Sequence, residues 1–293
     1  MKSFRNIFLF LLLSCGSIIL LEKRYNKYIN NYDLIFKDIE KHKNEYTDVY
    51  IGNSHTIALK NYSTINNAKV LNIATQGQDC FKTYTILKKW LPLLKNVERV
   101  YIGLDYEMIG QNLTLTGLPI DDRQLYKYTD TLYNYDLQSK LMAKSTFFRA
   151  NRDLTFLYSS QKIDTIIKFI PPLSSLNDEN CKKRALEHTQ IRFKKNLITE
   201  NLSYLQLTLL VAKNNNKKII FFNPPKTTCF KQHSNNLHVN FAKLKIDSFF
   251  KFNKIVYNDY YNNLSFMDSD FLDFDHLNKI GAAKLVASLN LIK

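Results

Sequence analysis

Cysteine is scarce: four residues in a chain of 293, at positions 15, 80, 181 and 229. Cys15 lies inside an apolar N-terminal segment, which leaves an odd three and no metal-like spacing, so neither a disulfide framework nor a cysteine metal cluster is expected. One bridge remains open, but its partners are not given by the sequence. No internal repeat is evident, and Asn214-Asn215-Asn216 is the one low-complexity patch. No nucleic-acid-binding motif accompanies the basic residues, which excludes nucleic acid as the expected partner. Small residues that would mark a cleavage site after Leu21 are also missing.

What is present is apolar and aromatic. Hydrophobic residues make up 45% and aromatics 13%, enough to bury a sizeable core and to exclude a disordered chain. Lys and Arg number 41 against 26 Asp and Glu, a formal charge of +15. That excess favours anionic partners such as phospholipid head groups or acidic polymers. The lysines come in scattered pairs (Lys88-Lys89, Lys182-Lys183, Lys194-Lys195, Lys217-Lys218) and build no single stripe.

Ile7 to Leu21 is an uncharged run flanked by Lys2 and Arg5 before it and by Glu22-Lys23-Arg24 after it. It is short of the roughly 20 residues a membrane span uses, but flanking residues extend it. Residues 1–24 are read as a signal anchor. A lipoprotein is the alternative, because Leu12-Leu13-Ser14-Cys15 is similar to a lipobox, and a cleaved signal peptide is a third. Charge alone does not orient the anchor, since basic residues flank both ends.

Tyr25 to Lys43 reads as a polar helical stalk. Beyond it, short β-rich runs alternate with helical patterns. Strands are expected at Asp48–Ile51, Lys69–Ile73, Arg99–Ile102, Lys218–Phe222 and Lys254–Tyr257. Helical spacing marks Tyr84, Leu87, Leu91 and Leu94, then Ile198, Leu202, Leu205 and Leu209, and a last helix from about Asn278 to Leu291. Apolar strands separated by helices predict an α/β fold, a three-layer αβα sandwich around a mainly parallel sheet of about five strands. The stretch from about Gly110 to Asn180 breaks this rhythm and reads as an insertion over the site, within one catalytic domain spanning residues 25–293.

Gly52-Asn53-Ser54-His55-Thr56 follows the first strand. A serine on a tight turn at the carboxyl end of a parallel strand presents its hydroxyl to the crevice, and the turn aims N–H groups at a developing oxyanion. The same residues make ordinary turn and cap chemistry. Near the other end stands Asp273-Phe274-Asp275-His276-Leu277-Asn278. There a carboxylate three residues before a histidine can orient its imidazole toward a nucleophile.

Together these segments resemble the SGNH, or GDSL-like, hydrolase superfamily. Asn72-Ile73-Ala74-Thr75-Gln76-Gly77 is similar to its second block and Gly103-Leu104-Asp105-Tyr106 occupies its third. The resemblance implies Ser54 as nucleophile, His276 as base, Asp273 as its orienting acid, and the N–H groups of Ser54 and Gly77 as the oxyanion hole, with no cofactor and no metal. Asn53, His55, Asp105 and Asn223 are candidate site-lining residues, His55 being read chiefly as a cap of the turn. Asp105 departs from the pattern, because the family places asparagine there. An ionised carboxylate would oppose an oxyanion, so Asp105 must point away, stay protonated or serve packing.

The departure and the anchor are similar to an envelope branch of the superfamily, which includes teichoic-acid D-alanylation and polysaccharide O-acetylation proteins. That resemblance implies an O-acyltransferase or esterase on an envelope polysaccharide or teichoic-acid-like polymer. It also implies a membrane-bound O-acyltransferase as partner and a domain on the outer side of a bacterial membrane. The alternative is an inactive SGNH-type protein that binds the polymer or that partner.

Overall fold

The computed structural model describes residues 2–25, 31–61, 64–65, 68–113, 122–133, 137–145 and 177–290. The apolar N-terminus is one helix, α1 (Lys2–Tyr25), whose side chains from Asn6 to Lys23 are not buried against the rest of the protein. A second helix, α2 (Asn31–His42), leads into β1 (Tyr46–Ile51) and the short helix α3 (Ser54–Ile57). Then come β2 (Thr64–Ile65), β3 (Ala68–Asn72), α4 (Cys80–Trp90) and β4 (Arg99–Gly103). After α5 (Asp122–Thr129) and α6 (Leu137–Lys144) the chain continues with α7 (Asp178–Leu186), α8 (Ile198–Asn214) and β5 (Lys218–Asn223). It closes with α9 (Thr228–His233), α10 (Asn236–Asn253), β6 (Tyr257–Asp259) and α11 (Lys279–Asn290).

The sheet has the order β2-β3-β1-β4-β5-β6, with five strands parallel and only the β2 edge antiparallel. In a strand, alternate side chains face opposite sides, and both sides here are dry. Val49, Ile51, Val100, Ile102 and Phe221 face a core shared with α2, α4, α8 and α10. Their neighbours Tyr50, Tyr101, Ile220 and Phe222 face a second core closed by Ala282, Leu285, Val286 and Leu289 of α11. This is the expected three-layer α/β sandwich. Among the parallel strands the order reverses between β1 and β4, and such switch points open a crevice at the carboxyl ends.

Two expectations change. The segment read as a stalk is a core helix: Phe36 of α2 stacks between Trp90 and Tyr128, and Tyr32, Ile35 and Ile39 are buried beside it. The final strand starts at Tyr257 rather than Lys254. Lys254 adopts a left-handed φ of 55° as the C-cap of α10, a helix outside the expected pattern, and the strand begins only after that turn. Most of the insertion lies outside the described residues. Its α5 packs against α2 and α4, with Lys127 Nζ donating to Asp33 Oδ1 at 2.7 Å and Trp90 Nε1 donating to Tyr128 O at 3.0 Å.

Candidate active site

Two glycines allow the crevice to form. A Cβ on Gly103 would lie 2.0 Å from Thr56 Oγ1, and one on Gly52 would lie 2.6 Å from the same atom and 2.9 Å from Gly103 O. The ends of β1 and β4 can therefore touch the turn after β1 only because both lack side chains. Gly52 also takes φ +153°, which disfavours any L side chain.

Asn53 caps α3, its Oδ1 accepting from His55 N at 3.1 Å. Ser54 is the first residue of that helix, half-exposed, and its N–H belongs to the first turn, where no intrahelical acceptor exists. The segment after β3 is laced to it, since Thr75 N donates to Gly52 O at 3.2 Å and Asn72 Nδ2 to Thr56 O at 3.1 Å. Gly77 stands in that segment with φ +66°, a left-handed turn.

His276 lies in the loop before α11. Asp273 Oδ1 accepts the N–H groups of Asp275 and His276 at 3.0 and 2.7 Å, and Asp273 Oδ2 lies 2.8 Å from His276 Nδ1. The carboxylate thus fixes both loop and ring, and directs Nε2 away from itself. Asp275 Oδ1 is 3.3 Å from the same Nδ1. Burial pushes the His276 imidazole down, but Asp275 and Asp273 outweigh it and raise it to about 9.

Between Ser54 and His276 stands His55, which is buried rather than capping the turn, because Asn53 already does so. Its Nδ1 lies 2.9 Å from Asp105 Oδ2 and its Nε2 3.0 Å from Asp275 Oδ2. Its ring centroid is 4.8 Å from that of His276. Both nitrogens face carboxylates, which favours the doubly protonated ring, while Lys226 Nζ, 3.0 Å from Nδ1 and 3.2 Å from Nε2, opposes its charge. Burial opposes that charge, yet Asp105 and Asp275 raise the imidazole above its ordinary value. Among the described residues no hydrogen bond joins the Ser54 hydroxyl to His276.

Under His55 lies Lys226, wholly buried, three residues past β5. Its ammonium is 3.1 Å from Asp105 Oδ1, 3.2 Å from Glu107 Oε1 and 3.0 Å from His55 Nδ1. Asp105 is therefore ionised, not protonated: burial favours its neutral form, but His55 and Lys226 hold its carboxyl far below the usual range. Asn53 Nδ2 also donates to Asp105 Oδ2. Arg184 of α7 completes the set with Nε 3.2 Å from Asp275 Oδ2. Three carboxylates (Asp105, Glu107, Asp275) thus meet three cations (His55, Lys226, Arg184). Lys226, Glu107 and Arg184 were not singled out from the sequence.

Asn223, buried at the end of β5, turns to Asp259 of β6, with Nδ2 to Oδ1 at 3.1 Å, away from this cluster. His55, His188 and Asp275 bring ligand atoms within 4.8 Å of one another. The Lys226 ammonium already sits against that set, and its permanent charge opposes a metal cation there. Cys181 of α7 and Cys229 of α9 form a disulfide, the pairing left open above. It joins the two elements next to Arg184 and Lys226. A cavity of about 500 Å³ opens beside it, walled by Asp178, Thr227, Phe271, Asp273 and Phe274.

The chain matches no family model and no curated protein. Among solved structures it is similar to a Bacteroides fragilis protein provisionally named an acylhydrolase, at 12% identity over 90% of this chain and 98% of that one, with a TM-score of 0.45. It is also similar to a GDSL-like lipase from Bacteroides thetaiotaomicron, at 11% identity over 87% of this chain and 95% of that one, with a TM-score of 0.43.

Proposed function

We propose that this protein is a membrane-anchored acyl-transfer enzyme of the SGNH type, an O-acyltransferase or esterase acting on an envelope polysaccharide or similar anionic polymer. The observation that carries the reading is the joining of two segments more than two hundred residues apart. His55, the chain neighbour of Ser54, bonds Asp275 and lies against His276 with ring centroids 4.8 Å apart, while Asp273 holds the far nitrogen of that imidazole.

In this reading Ser54 Oγ attacks the acyl carbonyl as His276 Nε2 takes the hydroxyl proton. The N–H groups of Ser54 and Gly77 receive the oxyanion. Collapse expels the alcohol, which leaves with the proton from His276, and an acyl ester remains on Ser54. A second hydroxyl, from water or from a sugar, then attacks that ester by the same route, and Ser54 regains its proton through His276. Asp105 takes no part as a donor; its charge is spent on His55 and Lys226. The reaction requires the Ser54 hydroxyl to come within hydrogen-bond reach of His276 Nε2 in the substrate complex.

The apolar helix α1 supports an anchor, and the Cys181–Cys229 bridge supports an oxidising compartment outside the cytoplasm. The basic surface suits an anionic polymer, and a membrane-bound acyltransferase is a fitting acyl donor. A binding role without turnover is the second reading, favoured by the protonated His276 and by its lack of a bond to Ser54. Fluorophosphonate labelling of the detergent-solubilised full chain decides between them. Label on wild type that is lost in Ser54→Ala and His276→Ala supports the enzyme. A wild type that stays unlabelled from about pH 7 to roughly pH 9.5, where the base is free, supports the binder.

A further inference from the structure

We infer that the catalytic rim faces the bilayer, and that the ester it works on is one presented at the membrane surface on a lipid-linked carrier. This rests on the acyl-transfer reading and on α1 as an anchor.

The first observation is one of lengths. The twelve residues of α2 rise about 18 Å, and the six of β1 extend about 20 Å. Only Lys43, Asn44 and Glu45 lie between them, in a turn closed by Glu45 N to His42 O at 2.8 Å. The helix therefore runs back along the strand, and the start of α2 stands at the carboxyl end of β1, the end that carries Ser54.

The second observation is contact. The Tyr32 hydroxyl, in the first turn of α2, lies 3.2 Å from Thr75 Oγ1. Thr75 is the residue whose N–H bonds Gly52 O, and it stands two positions before Gly77. The first turn of α2 thus touches the strip that links the nucleophile turn to the second oxyanion donor.

The third is the tether. From Tyr25, the end of α1, to Asn31 the chain covers six residues, at most about 22 Å. The apolar part of α1, Asn6 to Lys23, rises about 27 Å, close to the thickness of a hydrocarbon core. A domain of this length is about 45–50 Å across, so a tether this short selects which end meets the head groups. Ser145, just past α6, also donates to Glu22 near the end of α1, a second contact between the anchor and the catalytic domain.

The experiment uses the full chain in phospholipid vesicles and two kinds of fluorophosphonate: one soluble, one joined to a phospholipid head group by a spacer of about 10 Å or about 60 Å, lengths that bracket the domain diameter. The short-spacer lipid probe is expected to label Ser54 as fast as the long-spacer one. Inserting about twenty Gly and Ser residues between Tyr25 and Asn31 should slow the short-spacer probe about tenfold, as effective concentration falls with tether length. The soluble probe should label that variant at the wild-type rate. Labelling by the soluble and long-spacer probes but not by the short one overturns the inference and leaves the enzyme reading intact. Equal short-spacer rates with and without the insertion also overturn it. Failure of all three probes on wild type removes the enzyme reading itself.

Discussion

Replacing Lys226 with methionine keeps most of the stem and deletes a buried ammonium. That strands Asp105 and Glu107, whose oxygens lie 3.1 and 3.2 Å from the lost charge. Removing one partner of a buried ion pair typically costs about 3–5 kcal/mol, because the remaining charge has no solvent to return to. At about 2–4 °C per kcal/mol for a domain of this size, the melting temperature should fall by roughly 6–20 °C. The pH dependence adds a sign. The depressed carboxyl of Asp105 contributes stability that is present above its ordinary value and lost as pH falls through its folded value. Without Lys226 that folded value rises, so the variant sheds the stranded charge sooner on acidification. The gap between wild type and variant should therefore shrink between about pH 7 and about pH 4. Thermal melts of the detergent-solubilised chain, followed by near-UV circular dichroism at both pH values, measure it. A fall of less than about 2 °C at neutral pH, well short of the buried-pair cost, or a gap that widens in acid, would refute the account of this cluster.

The His276 imidazole is raised to about 9 and in the proposed reaction acts as a base only when neutral, so labelling or turnover should climb about tenfold per pH unit and level off near that value. Asp275→Asn should move the limb to lower pH, and a flat profile from about pH 6 to about pH 10 would contradict the role of the base. Gly103→Ala should destabilise the protein, because the new Cβ meets Thr56 Oγ1 at 2.0 Å. Adding Thr56→Ala should recover part of that loss in a chemical-denaturation series, whereas additive losses would mean the glycine serves another purpose. Breaking the Cys181–Cys229 link, which spans 48 residues, should cost up to about 4 kcal/mol on the chain-entropy argument. An unchanged melt in Cys181→Ser/Cys229→Ser would show that the bridge adds nothing.

The sheet was legible because its strands are short apolar runs with turns at both ends, whereas the serine turn and the Asp-x-x-His segment stood out only through their joint resemblance to the SGNH pattern, since each alone also fits ordinary turn and cap chemistry. The failures have physical causes. The buried residues of α2, Tyr32, Ile35, Phe36 and Ile39, recur at helical spacing, yet the charged residues between them suggested a stalk. Asn53 and His55 both fit a cap, and only the tertiary fold decides that Asn53 takes it and frees the imidazole for Asp105 and Asp275. Nothing in the neighbourhood of Lys226 announces burial, since a lone lysine after two prolines reads as a surface turn. Asp105 was recognisable as out of pattern, but its reason lies in partners 50 and 121 positions away.

The buried charge cluster also constrains how this chain reaches its native state. Its six members arrive on the turn after β1, the segment past β4, α7, the stretch past β5 and the final loop. A partly assembled sheet that closed over Lys226 before the segment past β4 docked would trap a naked ammonium, at a cost of several kcal/mol. Premature closure is thereby discouraged. The carboxyl end of the sheet should be the last region to lose hydrogen exchange with solvent during refolding.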